Sequence, residues 1–266
     1  MDITVITLSR NRPVLLKRAI SSVKNQDYEG KIDHLILIDD CWETASCLKD
    51  HYSSLPNLIW VLRGRRPKET SGPIHLAQLR NLGIRMAETE WVCFLDDDNE
   101  FEPFHLSKLL ECAQANASPA VHSWIKVFNF DGTPYLKKRW PWSREDKEGE
   151  ERYKIMAERG AVIPGSHTIR DSIHNLPYRC VDTSAWLIKR ELLIDNPISN
   201  SFSYEEWRTN KAEDDKLQMG LMKAQVSIHC NELASLRYYL GGYSTNHDGS
   251  HTHSEQWKWK DIPHTE

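Results

Sequence analysis

The sequence feature that most constrains this chain is a short apolar run, residues 91–95, that ends in Asp96, Asp97 and Asp98. An apolar run with valine and aromatic residues, followed at once by polar residues, is typical of a buried strand. Ligands of open α/β sheets bind beyond the carboxyl ends of the strands. The three aspartates are therefore expected at a binding edge.

The spacing of these aspartates indicates a metal-assisted site. Three adjacent carboxylates repel one another unless a cation lies nearby. Alternate side chains of an extended chain point the same way, so Asp96 and Asp98 are expected to face one site and Asp97 the other side. Carboxylates suit Mg²⁺ or Mn²⁺, which keep positions for water and substrate phosphates. A solvated acidic turn is the alternative interpretation.

Composition narrows the classes of function and partner. The chain has 266 residues, enough for one compact domain, and its net charge of -4 comes from interspersed acids and bases. This distribution argues against nucleic acid as a partner. No apolar run approaches the roughly 20 residues of a transmembrane segment, and residues 1–6 enter a strand without a secretion leader. We expect a cytoplasmic protein and leave a homo-oligomer open.

Cysteine and tryptophan usage adds two expectations. The six cysteines form no C-x-x-C pair, so reduced thiols are expected and no zinc or redox motif is supported. The ten tryptophans include Trp140 and Trp142, which lie beside proline and charged residues. Exposed aromatic rings stack on sugars, and packing in the interior is the alternative interpretation.

The first part of the chain alternates patterns typical of strands and helices. The predicted strands are residues 3–8, 34–38, 58–62 and 90–95, and the predicted helices are 13–25 and 74–87. This order predicts an α/β fold with a mostly parallel central sheet and flanking helices. Asp39 and Asp40 end the second strand, where such sheets place nucleotide recognition. Capping of the following helix is the alternative for this pair.

Four motifs follow one another in an order and at spacings that resemble the signatures of the family-two glycosyltransferases. They are Thr7-Leu8-Ser9-Arg10-Asn11-Arg12-Pro13, Ile38-Asp39-Asp40, Leu79-Arg80-Asn81-Leu82-Gly83-Ile84 and Phe94-Leu95-Asp96-Asp97-Asp98-Asn99. Each motif alone is weak, but the four together, over about the first 105 residues, are specific. The resemblance implies a nucleotide-sugar enzyme of the GT-A, Rossmann-like fold, inverting and of the hexosyltransferase type.

The resemblance also implies how the nucleoside is bound. In the family, the loop after the first strand and the acid after the second strand hold the nucleoside. Here these positions are Arg10, Asn11 and Asp40, with Asp39 beside them. Because the acid pair resembles the one that accepts the pyrimidine N3 proton in uridine-using relatives, the expected donor is a UDP-sugar.

The remaining donor contacts are implied in the same way. Arg80 matches the arginine that lies near the nucleotide in the family. The D-x-D motif maps onto Asp96, Asp97 and Asp98, of which Asp98 corresponds to the direct metal ligand and Asp96 to a second one. The expected cofactor is Mn²⁺ or Mg²⁺.

The second part of the chain is expected to bind the acceptor. We divide a single GT-A domain into residues 1–105, which bind the nucleotide sugar, and 106–266, which carry the acceptor site and the catalytic base. A helix is predicted at 106–115, a strand at 120–128 and a turn at 131–132. Residues 137–159 hold few aliphatic side chains and suggest a mobile acceptor segment or a charged surface helix.

A second acidic cluster, Glu213, Asp214 and Asp215, precedes apolar residues at helical spacing and thus lies in the first turn of a predicted helix. The helix dipole favours acids at this position whether or not they have a function. In the family, an E-D pair that opens a helix supplies the catalytic base. The resemblance therefore implies Asp214 as the base, with Asp215 as the fallback, and Asp182 and Trp186 near the sugar.

The last part of the chain is rich in glycine, serine and histidine. We expect a flexible segment from about residue 241, and its histidines are competent metal ligands in the neutral form. Many enzymes of this fold use a late histidine as a third protein ligand. His247 is the first candidate, with His251 and His253 behind it, and a mobile tail with accidental metal affinity is the alternative.

The sequence thus predicts a metal-dependent transferase that moves a sugar, with inversion, from a nucleoside diphosphate to an acceptor hydroxyl. The acceptor is a saccharide, a lipid-linked molecule or a peptide. Two alternatives stay open. One is a carbohydrate-binding protein that has kept the fold without catalysis, and the other is a two-metal phosphoryl or nucleotidyl transferase.

Overall fold

The first part of the chain alternates strands and helices, as its hydrophobic pattern predicts. The structure is a computed structural model that describes residues 1–64, 72–170, 172–173, 181–209 and 211–242. The elements up to the aspartates are β1 (Ile3–Ser9), α1 (Pro13–Lys24), β2 (Ile32–Asp39), α2 (Trp42–Tyr52), β3 (Leu58–Arg63), α3 (Pro73–Met86) and β4 (Trp91–Phe94). Proline begins both α1 and α3, where its missing amide hydrogen has no helical partner to lose.

The second part is less regular. Its elements are β5 (Glu100–Phe101), α4 (His105–Ala115), β6 (Ala120–Phe128), α5 (Asp146–Glu158), β7 (Thr168–Ile169), β8 (Trp186–Lys189), α6 (Arg190–Asp195), α7 (Tyr204–Arg208), α8 (Glu213–Lys223) and β9 (Ile228–Tyr239). The 131–132 turn is present, because the Asn129 amide donates to the Thr133 carbonyl at 2.8 Å.

All nine described strands form one sheet, in the order β3-β2-β1-β4-β8-β6-β9-β5, with β7 beside β6. β1 to β4 are parallel to their neighbours within this group. β8 then runs antiparallel to both β4 and β6, and β9 runs parallel to β6. The predicted α/β fold class is confirmed. The parallel direction holds over the first four strands, and the rest of the sheet is mixed.

Helix α3 packs unusually close to the sheet because of one glycine. A Cβ atom at Gly83 would lie 2.7 Å from Ile6 Cγ2 and 3.3 Å from Leu37 Cδ1. Since real Cβ contacts are not that short, glycine lets the helix approach β1 and β2. This contact fixes the position of Arg80, one turn earlier on the same helix.

The segment 137–159 is better packed than its composition suggests. Trp140 is 4% exposed and Met156 is 2% exposed, so both belong to the hydrophobic core. The Trp142 indole donates to the Tyr238 hydroxyl at 3.1 Å. Of the two interpretations of this segment, the presence of α5 agrees with the charged surface helix. Trp140 packs in the interior and is not exposed for stacking on a sugar.

No helix in the described ranges is long and apolar enough to cross a membrane.

Candidate active site

The aspartate turn lies between the end of β4 and the start of β5. The Leu95 amide donates to the Ile6 carbonyl at 3.0 Å, and the Asn99 amide donates to the Asp96 carbonyl at 3.1 Å. The chain turns over residues 96–99, and Asp97 is buried whereas Asp96 and Asp98 are part-exposed. That Asp96 and Asp98 face one site stays a prediction, because Asp97 and Asp98 share one arginine and Asp96 contacts another.

Arg12 is the cation that Asp97 and Asp98 share. Its Nη1 donates to Asp97 Oδ1 and to Asp98 Oδ2, each at 2.9 Å. Asp97 is buried, whereas Asp98 keeps 17% of its side chain exposed. Burial raises the pKa of Asp97 to about 6 and also raises that of Asp98, and in both cases Arg12 opposes the shift. Asp97 thus anchors Arg12, and Asp98 is the member of the pair that solvent can reach.

The sequence interpretation gave Arg12 no role, although Arg12 lies inside the first motif beside Arg10 and Asn11. A second arginine, Arg18 on α1, donates to the Asp98 carbonyl and lies over the Tyr239 ring, 3.6 Å from its centroid. Helix α1 and the residue before it therefore hold the aspartate turn through two arginines. Only the tertiary structure reveals these contacts, because at least 80 residues separate the partners.

Arg80 joins the aspartate turn to the second acidic cluster. Its Nη2 lies 2.9 Å from Asp96 Oδ1 and 3.3 Å from Glu213 Oε1. Burial lowers the pKa of Arg80, but the two carboxylates outweigh burial and leave it raised. Arg80 Nη1 is buried and has no hydrogen-bond partner among the described residues. Arg80 is thus charged, and its Nη1 can donate a hydrogen bond to an acceptor oxygen of a ligand.

The three acids of α8 have different surroundings. Glu213 is buried against Arg80. Asp215 caps its own helix, because Oδ2 accepts from the Ala212 amide at 3.0 Å and Oδ1 pairs with Lys211 at 3.0 Å. Asp214 accepts from the Asp215 amide at 2.7 Å. The fallback residue is therefore engaged in capping, and Asp214 is the acid of the three without a described ion pair.

The pKa of Asp214 differs from the expectation. The helix dipole alone would favour the ionised form. Burial instead raises the pKa of Asp214 to about 7, and the neighbouring Asp215 and Glu213 add to the shift. A carboxyl with a pKa near neutral pH is half ionised there and is well matched to accept a proton.

The residues expected to bind the nucleoside lie at the carboxyl ends of β1 and β2. These strands are parallel with Ser9 opposite Ile38, so the loops that follow them are neighbours. Asn11 and Asp40 both adopt the left-handed conformation, with φ of 53° and 50°. Asp40 is exposed, whereas Asp39 is buried and bonds His75 Nε2 at 2.9 Å. Of this pair, Asp40 is therefore accessible to a ligand, and Asp39 lies in the protein interior.

Asp182 and Trp186 do not form an open sugar pocket. Trp186 is fully buried in the core. Asp182 accepts from the Ser184 amide at 2.8 Å, and the Ser184 hydroxyl contacts the Asp96 amide nitrogen at 3.1 Å. Asp182 therefore stabilises the turn at Ser184, and the Ser184 hydroxyl in turn bonds the backbone of Asp96. Ser184 was not singled out in the sequence, because a lone serine carries no distinctive signal.

The end of β9 passes directly beside the aspartate turn. The Tyr239 amide donates to Asn99 Oδ1 at 3.0 Å, and a Cβ atom at Gly242 would lie 2.5 Å from Asp98 Oδ2. A side chain at Gly242 would therefore displace the Asp98 carboxylate, and glycine leaves that carboxylate its place. The expected flexible segment beyond this point and the metal candidates His247, His251 and His253 lie outside the described residues.

A divalent ion fits the chemistry of this turn. Within the described residues, no three His, Cys, Asp or Glu side chains come together as a ready metal cluster. Asp96 and Asp98 are part-exposed, at 34% and 17% of their side chains. Mg²⁺ in nucleotide sites is commonly held by one or two carboxylates, substrate phosphates and waters, and a pair of aspartates supplies the protein share.

Together the sheet and the acidic turn after β4 are those of a GT-A domain. Solved structures of this class align with the chain over most of its length. The family model for Glycosyl transferase family 2 matches residues 4–193. The chain therefore belongs to glycosyl transferase family 2, as the four motifs predicted.

Known proteins similar to this chain are glycosyltransferases. The uncharacterized glycosyltransferase YwdF of Bacillus subtilis is 26% identical over 181 residues, which cover 66% of this chain and 60% of that protein. Residues 1–349 of S. aureus TarS in complex with UDP align with a TM-score of 0.57 and 18% identity, over 92% of this chain and 62% of that one.

The mannosyltransferase PcManGT from Pyrobaculum calidifontis, in complex with GDP-Man and Mn²⁺, has a TM-score of 0.57 and 15% identity, over 90% of this chain and 57% of that protein. At these identities the structures show the fold alone. The chain spans less than two thirds of the length of YwdF, TarS and PcManGT.

Proposed function

We propose that this protein transfers a sugar from a nucleoside diphosphate, with inversion, to an acceptor hydroxyl. The observation that carries the proposal is the position of Arg80 between two acidic clusters. One cluster holds part-exposed aspartates suited to a metal and diphosphate, and the other holds an acid suited to proton transfer. An inverting transferase needs both, because the leaving group and the attacking hydroxyl lie on opposite sides of the anomeric carbon.

The donor proposed is a UDP-sugar. Asp40 is an exposed acid at the carboxyl end of β2, next to the loop with Arg10 and Asn11. A carboxylate there can accept the N3 proton of uracil. TarS, a protein of the same fold, binds UDP. Asp39 is buried and bonded to His75, so we propose a structural role for Asp39 and contact with the nucleoside for Asp40 alone.

The diphosphate is proposed to lie over the aspartate turn. Asp96 and Asp98 would hold Mn²⁺ or Mg²⁺, as PcManGT, which has the same fold, is found with Mn²⁺. When bound, such an ion offsets the negative charge that develops on the leaving diphosphate. Arg80 Nη1, buried and without a described partner, is positioned to donate to an oxygen of the same group. His247 remains a proposed third ligand.

Asp214 is proposed as the general base. Its carboxylate accepts the proton of the acceptor hydroxyl while the oxygen attacks the anomeric carbon, and the nucleoside diphosphate leaves with the bonding electrons. Glu213 and Asp215 are tied to Arg80 and to the helix start, so they position Asp214 and raise its pKa. A base whose pKa is near the working pH combines a sufficient ionised fraction with basicity.

The acceptor is proposed to approach from the second part of the chain. A pocket beside β6 and β7 is lined by Tyr135, Lys137, Trp140, Tyr153 and His167, among others. It does not include the aspartates, but Trp142 connects its wall to β9 through the Tyr238 hydroxyl. Tyr135 and Trp140 are buried, so their rings pack in the interior, and a saccharide, a lipid-linked molecule and a peptide all stay candidate acceptors.

The compartment and assembly remain part of the proposal. The described cysteines include Cys41, Cys47, Cys93 and Cys112, which are free thiols. Free thiols fit a reducing compartment, so we place the reaction in the cytoplasm. A homo-oligomer is still a prediction, which light scattering of the purified protein would test.

The proposal is tested by a donor screen with and without EDTA. Incubation with UDP-, GDP-, TDP- and CDP-sugars should show slow hydrolysis of a UDP-sugar that stops with EDTA and returns with excess Mn²⁺. Binding of saccharides without cleavage of any nucleotide sugar would favour the carbohydrate-binding alternative. Cleavage of nucleoside triphosphates instead would favour a phosphoryl or nucleotidyl transferase.

A further inference from the structure

Arg12 is a buried charge that the proposed reaction does not use. It directly precedes α1, its side chain is 6% exposed, and it reaches the aspartate turn. A single amino group, Nη1, donates to both Asp97 Oδ1 and Asp98 Oδ2 at 2.9 Å. Asp98 is the residue whose carboxylate is expected to bind the metal directly. A guanidinium thus bonds the carboxylate that the ion needs.

The other described cations near the turn contact different groups. Arg80 bonds Asp96 and Glu213. Arg18 contacts the Asp98 carbonyl rather than its carboxylate, and its guanidinium also pairs with Glu100 at 3.6 Å and lies over Tyr239. Among the described residues, Arg12 is therefore the arginine bonded directly to the Asp98 side chain.

A divalent ion and this guanidinium cannot share Asp98 without repulsion. Two cations on one carboxylate lie within a few ångströms of each other, where their repulsion is strong in a buried environment. Arg12, however, also pairs with a second carboxylate, that of Asp97. If Arg12 releases Asp98, it still pairs with Asp97, which is buried and remains close. Exchange at Asp98 thus leaves no buried charge without a partner.

We propose that Arg12 and the divalent ion exchange at Asp98: Arg12 bonds Asp97 and Asp98 in the metal-free protein and retains Asp97 alone once the ion is bound. This inference rests on the proposed function, since it takes Asp98 as a metal ligand. Arg12 lowers the affinity of the nucleotide-free protein for the ion. The negative charge of the diphosphate then makes binding of ion and nucleotide mutually dependent.

The consequence is measurable without any catalytic assay. Mn²⁺ binding is followed by electron paramagnetic resonance of the free ion, with and without UDP. Arg12→Met removes the guanidinium and keeps much of the side-chain volume. Because a hydrogen bond to a charged group no longer opposes the ion, Arg12→Met should bind Mn²⁺ about tenfold or more tightly without UDP. The enhancement of Mn²⁺ binding by UDP should become smaller.

Two variants are matched to this one. Arg18→Met removes the same charge from α1, the helix that Arg12 precedes, but Arg18 contacts the Asp98 backbone, so Mn²⁺ affinity should change much less. Arg12→Met combined with Asp97→Asn removes both partners of the buried pair. It should fold even if the single variant does not, and it should show the same tighter Mn²⁺ binding.

The outcomes separate the inference from the proposed function. If wild-type protein binds Mn²⁺ with UDP, but the Arg12 variants bind it no more tightly or less tightly, the exchange is wrong and the metal site stands. If the Arg18 variant gains as much affinity as the Arg12 variants, the effect is one of general charge and the exchange is again wrong. If wild-type protein binds no Mn²⁺ even with UDP, both proposals fail.

Discussion

Arg80 and Glu213 form a buried ion pair at 3.3 Å, although 133 residues separate them in the chain. The pair joins α3, which is fixed against the sheet by Gly83, to α8, which carries Asp214. The same Nη2 holds Asp96. The donor side and the base side of the candidate site are therefore connected through one guanidinium, and loss of Arg80 is expected to affect both.

Loss of Arg80 should destabilise the protein strongly. Arg80→Met leaves Glu213 and Asp96 without their cation, and breaking a buried pair in this way costs about 3–5 kcal/mol. Urea denaturation followed by circular dichroism measures this loss. Arg208→Met, in an exposed pair with Glu205 on α7, is the matched control and should change little. Equal stability of the Arg80 variant and wild type would show that the pair does not hold α3 to α8.

Loss of Asp98 should abolish metal-dependent nucleotide binding without unfolding the chain. Asp98→Ala removes a part-exposed carboxylate and little core packing. Calorimetry with UDP and Mn²⁺ is expected to show no metal-dependent binding for this variant. The exposed Asp50→Ala on α2 should bind like wild type. Unchanged affinity of the Asp98 variant would refute the metal assignment.

A side chain at Gly242 should disturb Asp98 and weaken the binding that depends on it. A Cβ atom there would lie 2.5 Å from Asp98 Oδ2, so Gly242→Ala must displace either the carboxylate or the end of β9. We expect weaker binding of UDP with Mn²⁺ in the same calorimetric titration and an unchanged fold. At Gly220 on α8 a Cβ atom would meet nothing within 4 Å, so Gly220→Ala should bind normally. Normal binding by both variants would contradict the close approach.

The uridine prediction depends on Asp40. UDP with Mn²⁺ should raise the melting temperature more than cytidine diphosphate, because uracil has an N3 proton for the carboxylate to accept and cytosine has none. The diphosphates of guanosine and thymidine are compared in the same titration. Asp40→Asn should reduce this advantage, because an amide offers one acceptor oxygen instead of two. Greater stabilisation by guanosine diphosphate would overturn the donor assignment.

Local patterns in the sequence predicted much of the fold. The strands β1 to β4 are apolar runs with a polar end, and α1 and α3 have apolar side chains at helical spacing, so the order of elements follows from near neighbours. The position of the aspartates after β4 follows in the same way. These features depend on residues that are close in the chain.

Contacts between distant residues were not predictable. Nothing near Arg12 in the sequence indicates that it bonds Asp97 and Asp98 in preference to solvent. The raised pKa of Asp214 comes from burial, which the helix-dipole argument did not include. Trp140 lies in a segment that was expected to be mobile or a charged surface helix, but its side chain is 4% exposed and belongs to the hydrophobic core. In each case the tertiary fold supplies the partner.

The raised pKa of Asp214 predicts opposite effects of pH on stability and on rate. The folded protein favours the protonated carboxyl, so this contribution to stability is present below the ordinary pKa of 3.8 and is lost as pH rises through about 7. At pH 8, Asp214→Asn should therefore unfold at higher urea than wild type. The same urea concentration for both proteins at pH 8 and pH 5 would contradict the pKa shift.

The central claim is that Asp214 is the base, and turnover of a UDP-sugar with Mn²⁺ tests it most directly. The wild-type rate should fall about tenfold per pH unit below about 7, because the base becomes protonated. Asp214→Asn should lower turnover by about two to four orders of magnitude and leave donor affinity unchanged. Asp215→Asn should lose stability through its helix cap and keep most of its rate. Near-normal turnover by Asp214→Asn would contradict the account.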